Sequence, residues 1–182
     1  MEEEVLHKIV YGLYVVSSKR RGGKKLNGQI ANTVFQVTSN PKMVAICINK
    51  DNLTHEFIKG GAFTISILSI NTPMKFIGLF GFKSGRDTEK FEGVEYKIGE
   101  TGMPILIENA IAYLECKVSS SMDVKTHTLF IGRVVDAASI KDEPPMTYAY
   151  YHDIKHGLTP KAAPTYIIHH KNSGEPNSKP NG

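Results

Sequence analysis

Six short segments of this chain, YGLYVVSS, ANTVFQVTS, MVAICIN, FTISIL, AYLECKVSS and HTLFIGRVV, are rich in β-branched and aromatic residues and set apart by Gly, Asn, Pro or Asp. Such segments are strands. In AIAYLECKV, Ala112, Leu114, Cys116 and Val118 alternate with Tyr113, Glu115 and Lys117, which predicts that the second set faces water. Gly22 and Gly23, inside the basic run SKRRGGKK, predict a hairpin turn with a solvated tip carrying Lys19, Arg20, Arg21, Lys24 and Lys25. Helices fall between the strands. DNLTHEFIKGG offers Asn52 or Thr54 as N-cap and Gly60 as its stop, and NTPMKFIGLFG offers Thr72 as cap, Pro73 at the first helical position and Gly78 or Gly81 near the end. MTYAYYHDIKHG predicts a third helix from Thr147 to His156, and Glu2 to Glu4 suit the start of a short helix through VLHKI. Strands with helices inserted, rather than alternating one for one, argue for a mainly β fold, a closed or half-closed barrel decorated by helices.

With 182 residues, one domain is expected over 1–170, followed by a flexible tail over 171–182, KNSGEPNSKPNG, which has no apolar anchor. The acidic start MEEEV lacks the basic flank and apolar stretch of a secretory signal, so a cytoplasmic chain is expected. Cys47 and Cys116 belong to no CxxC and read as two small buried hydrophobes. His169 and His170 have no carboxylate or cysteine at ligand spacing, so no metal is expected.

The sequence has no GxGxxG after a strand, Walker loop, HExxH or GxSxG, which removes several large enzyme classes. A single-stranded nucleic-acid barrel would need a row of exposed aromatics, whereas most aromatics here fall at core or helix positions. Three stretches carry chemistry instead. In NGQIANTVFQVTS, amides and hydroxyls interrupt a run of core residues; a strand placing Asn32 and Gln36 on one face would spend polar groups where apolar ones stabilise more, and its edge suits a planar hydrogen-bonding ring. In INKDNLTHEF, Asn49, Lys50, Asn52 and Thr54 lie where a strand meets a helix, a natural anion site, with plain capping as the alternative. FGFKSGRDTEKF combines a tight turn at Ser84 and Gly85 with the planar fork of Arg86 and the charge of Lys90. A phosphate clamp and a ring edge together describe a flavin mononucleotide. Two or three charge-assisted bonds to its phosphate give about 3 to 9 kcal/mol. Immobilising the ligand costs about 4 to 15 kcal/mol, so burial of the ring, near Phe80, Phe82 and the Ile30 to Val34 segment, must supply the rest.

The blocks KIVYGLYVVSS, GQIANTVFQVTS, INKDNLTHEF, TPMKFIGLFGFKSGRD with EKFEGVEYK, THTLFIGRVVDA and YYHDIKHGLTPKAAPTY occur in an order that resembles the flavin reductase-like family of FMN-binding split barrels, nearest in pattern to its ferric reductase and rubredoxin-linked members. The resemblance implies a Greek-key split β-barrel, a homodimer and FMN near the subunit interface. It places Gln29, Ile30, Ala31, Asn32 and Thr33 against the isoalloxazine, and Asn49, Lys50, Asn52, Thr54, Ser84, Arg86 and Lys90 toward the phosphoribityl end. It also implies that His127 stands near the flavin and an incoming NAD(P)H. The implied reaction is hydride transfer from nicotinamide to flavin N5 and onward delivery to a ferric chelate or free flavin. The alternative is an electron-transfer module that serves a small redox protein such as rubredoxin. Tyr148 and Tyr151 share a helix face; core or interface packing accounts for them, with a shelf for the nicotinamide as the other reading.

Overall fold

The computed structural model describes residues 3–166, so the tail, His169 and His170 lie outside the described residues. A 3-10 helical segment, Glu3–Lys8, stands where the first helix was expected. Nine strands follow among the described residues: β1 Tyr14–Lys19, β2 Leu26–Ala31, β3 Val34–Ser39, β4 Lys42–Asn49, β5 Ala62–Leu68, β6 Tyr96–Ile98, β7 Pro104–Leu106, β8 Ala110–Val124 and β9 His127–Ser139. Helix α1 is Leu53–Ile58, α2 is Met74–Gly81 and α3 is Tyr148–Asp153.

Seven strands form one antiparallel sheet in the order β2-β1-β5-β8-β9-β4-β3, with β6 and β7 paired separately. Its two edge strands, β2 and β3, are consecutive in the chain and joined only by Asn32 and Thr33. A two-residue link spans roughly 11 Å at most, so the sheet must curl until its edges nearly meet. This is a barrel with an unbonded seam, the mainly β architecture expected.

Neighbouring residues of β1 show how the layers divide. Val16 points into the barrel with Ile46, Ile48, Phe63, Ile65 and Phe130, while Val15 points outward under α2 and α3 with Phe76, Ile77, Phe80 and Tyr151. Fully burying each such side chain contributes about 1.5 to 3 kcal/mol. Both clusters border the seam.

Several local expectations are corrected. ANTVFQVTS is not one strand: it breaks at Asn32, which is buried, whereas Gln36 lies on exposed β3, so the two share no face. Tyr113 and Glu115 are buried rather than wet. The Glu115 carboxylate accepts from the Glu100 and Thr101 amides at 3.1 and 2.6 Å and from the Thr101 hydroxyl, while the Tyr113 hydroxyl donates to Asp136 at 2.7 Å. Their partners come from distant segments, which alternation along β8 does not contain. Pro73 is the N-cap of α2, and Thr72 donates to Ser69 O at 2.6 Å instead of capping it. At the end of α1 the left-handed residue is Gly61 (φ 109°), one beyond the expected stop. Cys47 is only half-buried.

His55, on α1, is buried against Phe130 and bonded through Nε2 to the Thr128 hydroxyl at 2.8 Å. Burial holds its pKa below the ordinary value, with Lys59 and Lys50 adding to the effect and Glu56 opposing it. A base whose pKa is lowered by folding stabilises the fold above the unfolded value, about 6.5, and that contribution is lost as pH falls through the folded value. Urea midpoints should therefore decline below about pH 6.5, and His55→Gln should flatten that decline.

Candidate functional site

β2 enters the seam with Asn27, Gln29 and Ala31, and the chain then turns through Asn32. These residues, the start of α1, the loop after α2 and the 158–166 segment enclose a cavity of about 720 Å3. Asn27 is buried; its Nδ2 donates to the Thr54 hydroxyl at 2.8 Å, which ties β2 to α1. Asn27 Oδ1 and Gln29 Oε1 are buried acceptors with no donor among the described residues. They lie two positions apart on one strand face, about 7 Å along the wall.

Gly85 packs directly against Asn27, since a Cβ there would lie 1.9 Å from Oδ1. The turn around it is built locally: Ser84 Oγ accepts from the Arg86 amide at 3.1 Å, and Ser84 O accepts from the Asp87 and Thr88 amides at 3.2 and 3.1 Å. Beyond it, Lys90 is 3% exposed and donates to Gly28 O at 3.0 Å and Phe80 O at 3.2 Å. Burial pushes its pKa down to about 8. No carboxylate pairs with it among the described residues. A buried ammonium without an acid needs an anion beside it, and two carbonyls leave one of its three N–H bonds unused.

A second cavity, about 490 Å3, adjoins the first across Cys47, Asn49 and the 158–166 segment. It holds Thr33 and His127. His127 Nδ1 is 2.9 Å from the Thr126 hydroxyl, and its buried Nε2 has no hydrogen-bond partner among the described residues. Burial lowers the His127 pKa, with the Ala162 backbone opposing.

Of the residues singled out in the sequence, Gln29, Ile30, Ala31, Asn32, Asn49, Asn52, Thr54, Ser84 and Lys90 line the first cavity, and Thr33 and His127 line the second. Two cations fall elsewhere. Lys50 pairs with Asp123, and the Arg86 guanidinium pairs with Glu56; neither lines a cavity, so the phosphate fork expected of Arg86 and the point charge expected of Lys50 are both turned to carboxylates. Asn52 is the N-cap of α1 but its side chain makes no capping bond. Sequence reasoning took Gly85 only as part of the Ser84 turn and Asn27 only as one amide of its stretch, and did not place the 158–166 segment in the site. For that segment a signal existed, the proline-bracketed TPKAAPT, which no helix or strand pattern explains.

The comparisons with known proteins decide what this seam belongs to. A family model described as "Flavin reductase like domain" matches residues 6–159. The chain belongs to that family. It is 51% identical to the high molecular weight rubredoxin of Moorella thermoacetica, over 92% of this chain and 73% of that protein. It is 52% identical to the ferric-chelate reductase (NAD(P)H) of Archaeoglobus fulgidus, over 92% of this chain and 98% of that protein. Among solved structures it resembles flavin reductase HpaC complexed with NADP+, at 26% identity and a TM-score of 0.69, over 80% of this chain and 90% of that one. This flavin reductase-like chain shares its fold with that flavin reductase structure.

Proposed function

We propose that the chain is an FMN-dependent NAD(P)H oxidoreductase of the flavin or ferric reductase type. One observation carries the reading: a single cavity is lined by buried Lys90, which lacks an acid partner among the described residues, and by Asn27 and Gln29, whose side-chain oxygens have no donor there. Phosphate answers the ammonium, and hydroxyls or ring N–H groups answer the acceptors, so FMN fits the residues present. The cavity volume lies within the range for cofactor sites.

When bound, FMN would supply a hydride acceptor at N5 and reducing equivalents for a ferric chelate or free flavin. The chain's own contribution is orientation and exclusion of water. Lys90 and the Ser84–Gly85 turn would hold the phosphate, Asn27 and Gln29 would accept from its donors, and Ala31 and Asn32 would border the ring. His127, which lines the adjoining cavity, would stand beside an incoming nicotinamide and help position it without an obligatory proton transfer. A homodimer fits this arrangement: exposed Phe35, Met122 and Val124 lie on β3 and the outer part of β8, beside the second cavity, where a second copy would cover them. Among the described residues no helix is long and apolar enough to cross a membrane, which fits the cytoplasmic setting expected.

The test is direct. Purified protein should be yellow, release FMN on heating, and bleach under anaerobic NADH or NADPH in stopped flow; a colourless chain that takes up no flavin would remove the reading. A second reading, electron exchange with a small redox protein, is favoured by the hairpin tip, where Arg20, Arg21 and Lys24 are exposed and only Lys25 is ion-paired, to Glu89, among the described residues. Reversing those three charges should slow reaction with an acidic redox protein and flatten its salt dependence while FMN stays bound.

A further inference from the structure

The wall shared by the two cavities, residues 158–166, is attached in an unusual way. The backbone hydrogen bonds its amides make are internal turns, Ala163 to Pro160 O at 2.9 Å and Tyr166 to Ala163 O at 3.1 Å. Side chains tie it to the barrel. Tyr151 OH donates to Leu158 O at 3.0 Å, and the Tyr148 hydroxyl lies 2.9 Å from both the Thr159 and Thr165 hydroxyls. Thr165 also accepts from Asn32 Nδ2 at 3.1 Å, and Asn32 Oδ1 accepts from the Thr33 hydroxyl at 3.1 Å. At the far end Thr159 Oγ1 is 3.4 Å from His152 Nε2, while His152 Nδ1 faces Gly157 O at 2.8 Å.

The donors and acceptors of this chain can be satisfied in one direction throughout: Thr33 to Asn32, Asn32 to Thr165, Thr165 to Tyr148, Tyr148 to Thr159, Thr159 to His152, and His152 to the Gly157 carbonyl. The Thr165, Tyr148 and Thr159 hydroxyls each accept once and donate once, the arrangement in which neighbouring bonds strengthen one another. Its only member bonded on both sides by strap residues is Tyr148. The ring of Tyr148 is separately held, stacked on Tyr151 at 6.2 Å and edge-on to His152 at 4.3 Å, so the hydroxyl is delivered to a fixed point.

We propose that Tyr148 is a positioning residue: its hydroxyl latches the 158–166 strap to α3 at both Thr159 and Thr165, fixes the Thr165 hydroxyl that accepts from Asn32, and so sets the wall that both cavities share. The proposal deepens the flavin reading on which it rests, because the latched wall borders the cavity assigned to FMN and, on its other side, His127. Loosening it should free the bound flavin and leave the barrel intact.

Tyr148→Phe deletes the two bonds and keeps the ring. In the flavin-free chain, hydrogen exchange should quicken about 10-fold at the 157–166 amides, as loss of roughly 1.4 kcal/mol implies, with strand amides unchanged. Thr165→Val should act on the same segment, and the double variant should exchange faster than either single one but by less than the product of their two effects, because the two share the Tyr148–Thr165 bond. With flavin bound, Tyr148→Phe should also speed FMN dissociation about 10-fold, followed by fluorescence after displacement, with Tm shifted by less than about 3 °C. Unchanged exchange, additive variants, or acceleration spread evenly over the strands would overturn the latch. So would an unchanged FMN release rate with a loosened strap. The exchange arm needs no flavin, so a chain that failed to bind FMN would sink the functional reading and still leave the latch decided.

Discussion

Lys90→Met is expected to weaken FMN binding by about 10- to 100-fold while leaving riboflavin affinity almost unchanged, because the charge-assisted bond it removes, worth about 1.5 to 3 kcal/mol, is made only to phosphate. Fluorescence titration with the two flavins reads both numbers. Equal losses for both would show that the phosphate end lies elsewhere in the cavity. The pH dependence has a definite sign. Free, the folded chain holds Lys90 with a pKa near 8; below that pH the ammonium is ready for the anion, and above it binding must first take up a proton. FMN affinity should therefore fall as pH rises through about 8, and the variant should lack that limb. Stability moves the other way. A lysine pKa lowered by folding from 10.5 to about 8 means that a charged Lys90 costs the flavin-free fold stability, fully below pH 8 and fading as pH rises to 10.5, so Lys90→Met should raise the Tm of the flavin-free chain at neutral pH even as it weakens FMN binding. Few substitutions strengthen a fold and empty its site together.

Gly85→Ala carries the other large expectation. A Cβ would stand 1.9 Å from Asn27 Oδ1, so either the 84–86 turn or Asn27 must move. Moving Asn27 breaks its bond to Thr54 and detaches β2 from the start of α1. Overpacking of about 1 to 3 kcal/mol and a lost hydrogen bond of about 0.5 to 1.5 add to roughly 2 to 4 kcal/mol of destabilisation, visible in urea midpoints without flavin. FMN affinity should drop more than about 100-fold, since three walls of the site shift together. Asn27→Ala in the same chain removes the clashing oxygen and should restore much of the stability, though not the full affinity. A single variant as stable as the parent would mean that the loop and strand do not touch in solution.

Six of the nine described strands and the inserted helices were legible because each rests on local chemistry: β-branched runs between turn residues, a Gly-Gly hairpin, a threonine that accepts from Tyr150 N at the start of α3. So was the grouping of an amide-bearing strand with a basic turn. What escaped depends on partners far away in sequence. Arg86 looks like a phosphate fork until Glu56, thirty positions earlier, is folded beside it. Glu115 looks like a surface residue until the 100–101 turn presents its amides. Asn27 passed for one amide among several because its importance lies in an unpaired oxygen, a property that no spacing reveals. Conversely, Lys90 carries its signal in burial without an acid partner; the sequence supplied the cation, and only packing supplied the isolation.

The order of strands also dictates when the site comes into being. β8 and β9 are adjacent in the chain and pair along most of their length, whereas β1 must find β5 and β4 must find β9 across long stretches of intervening sequence. Short-range closures cost less entropy and come first, so the long hairpin is the natural nucleus, with the remaining strands added to its two flanks. The seam can exist only once both flanks are in place. A chain that folds in this order should form the cavity only when the last strands have docked, so that a flavin would enter a finished vessel instead of templating one.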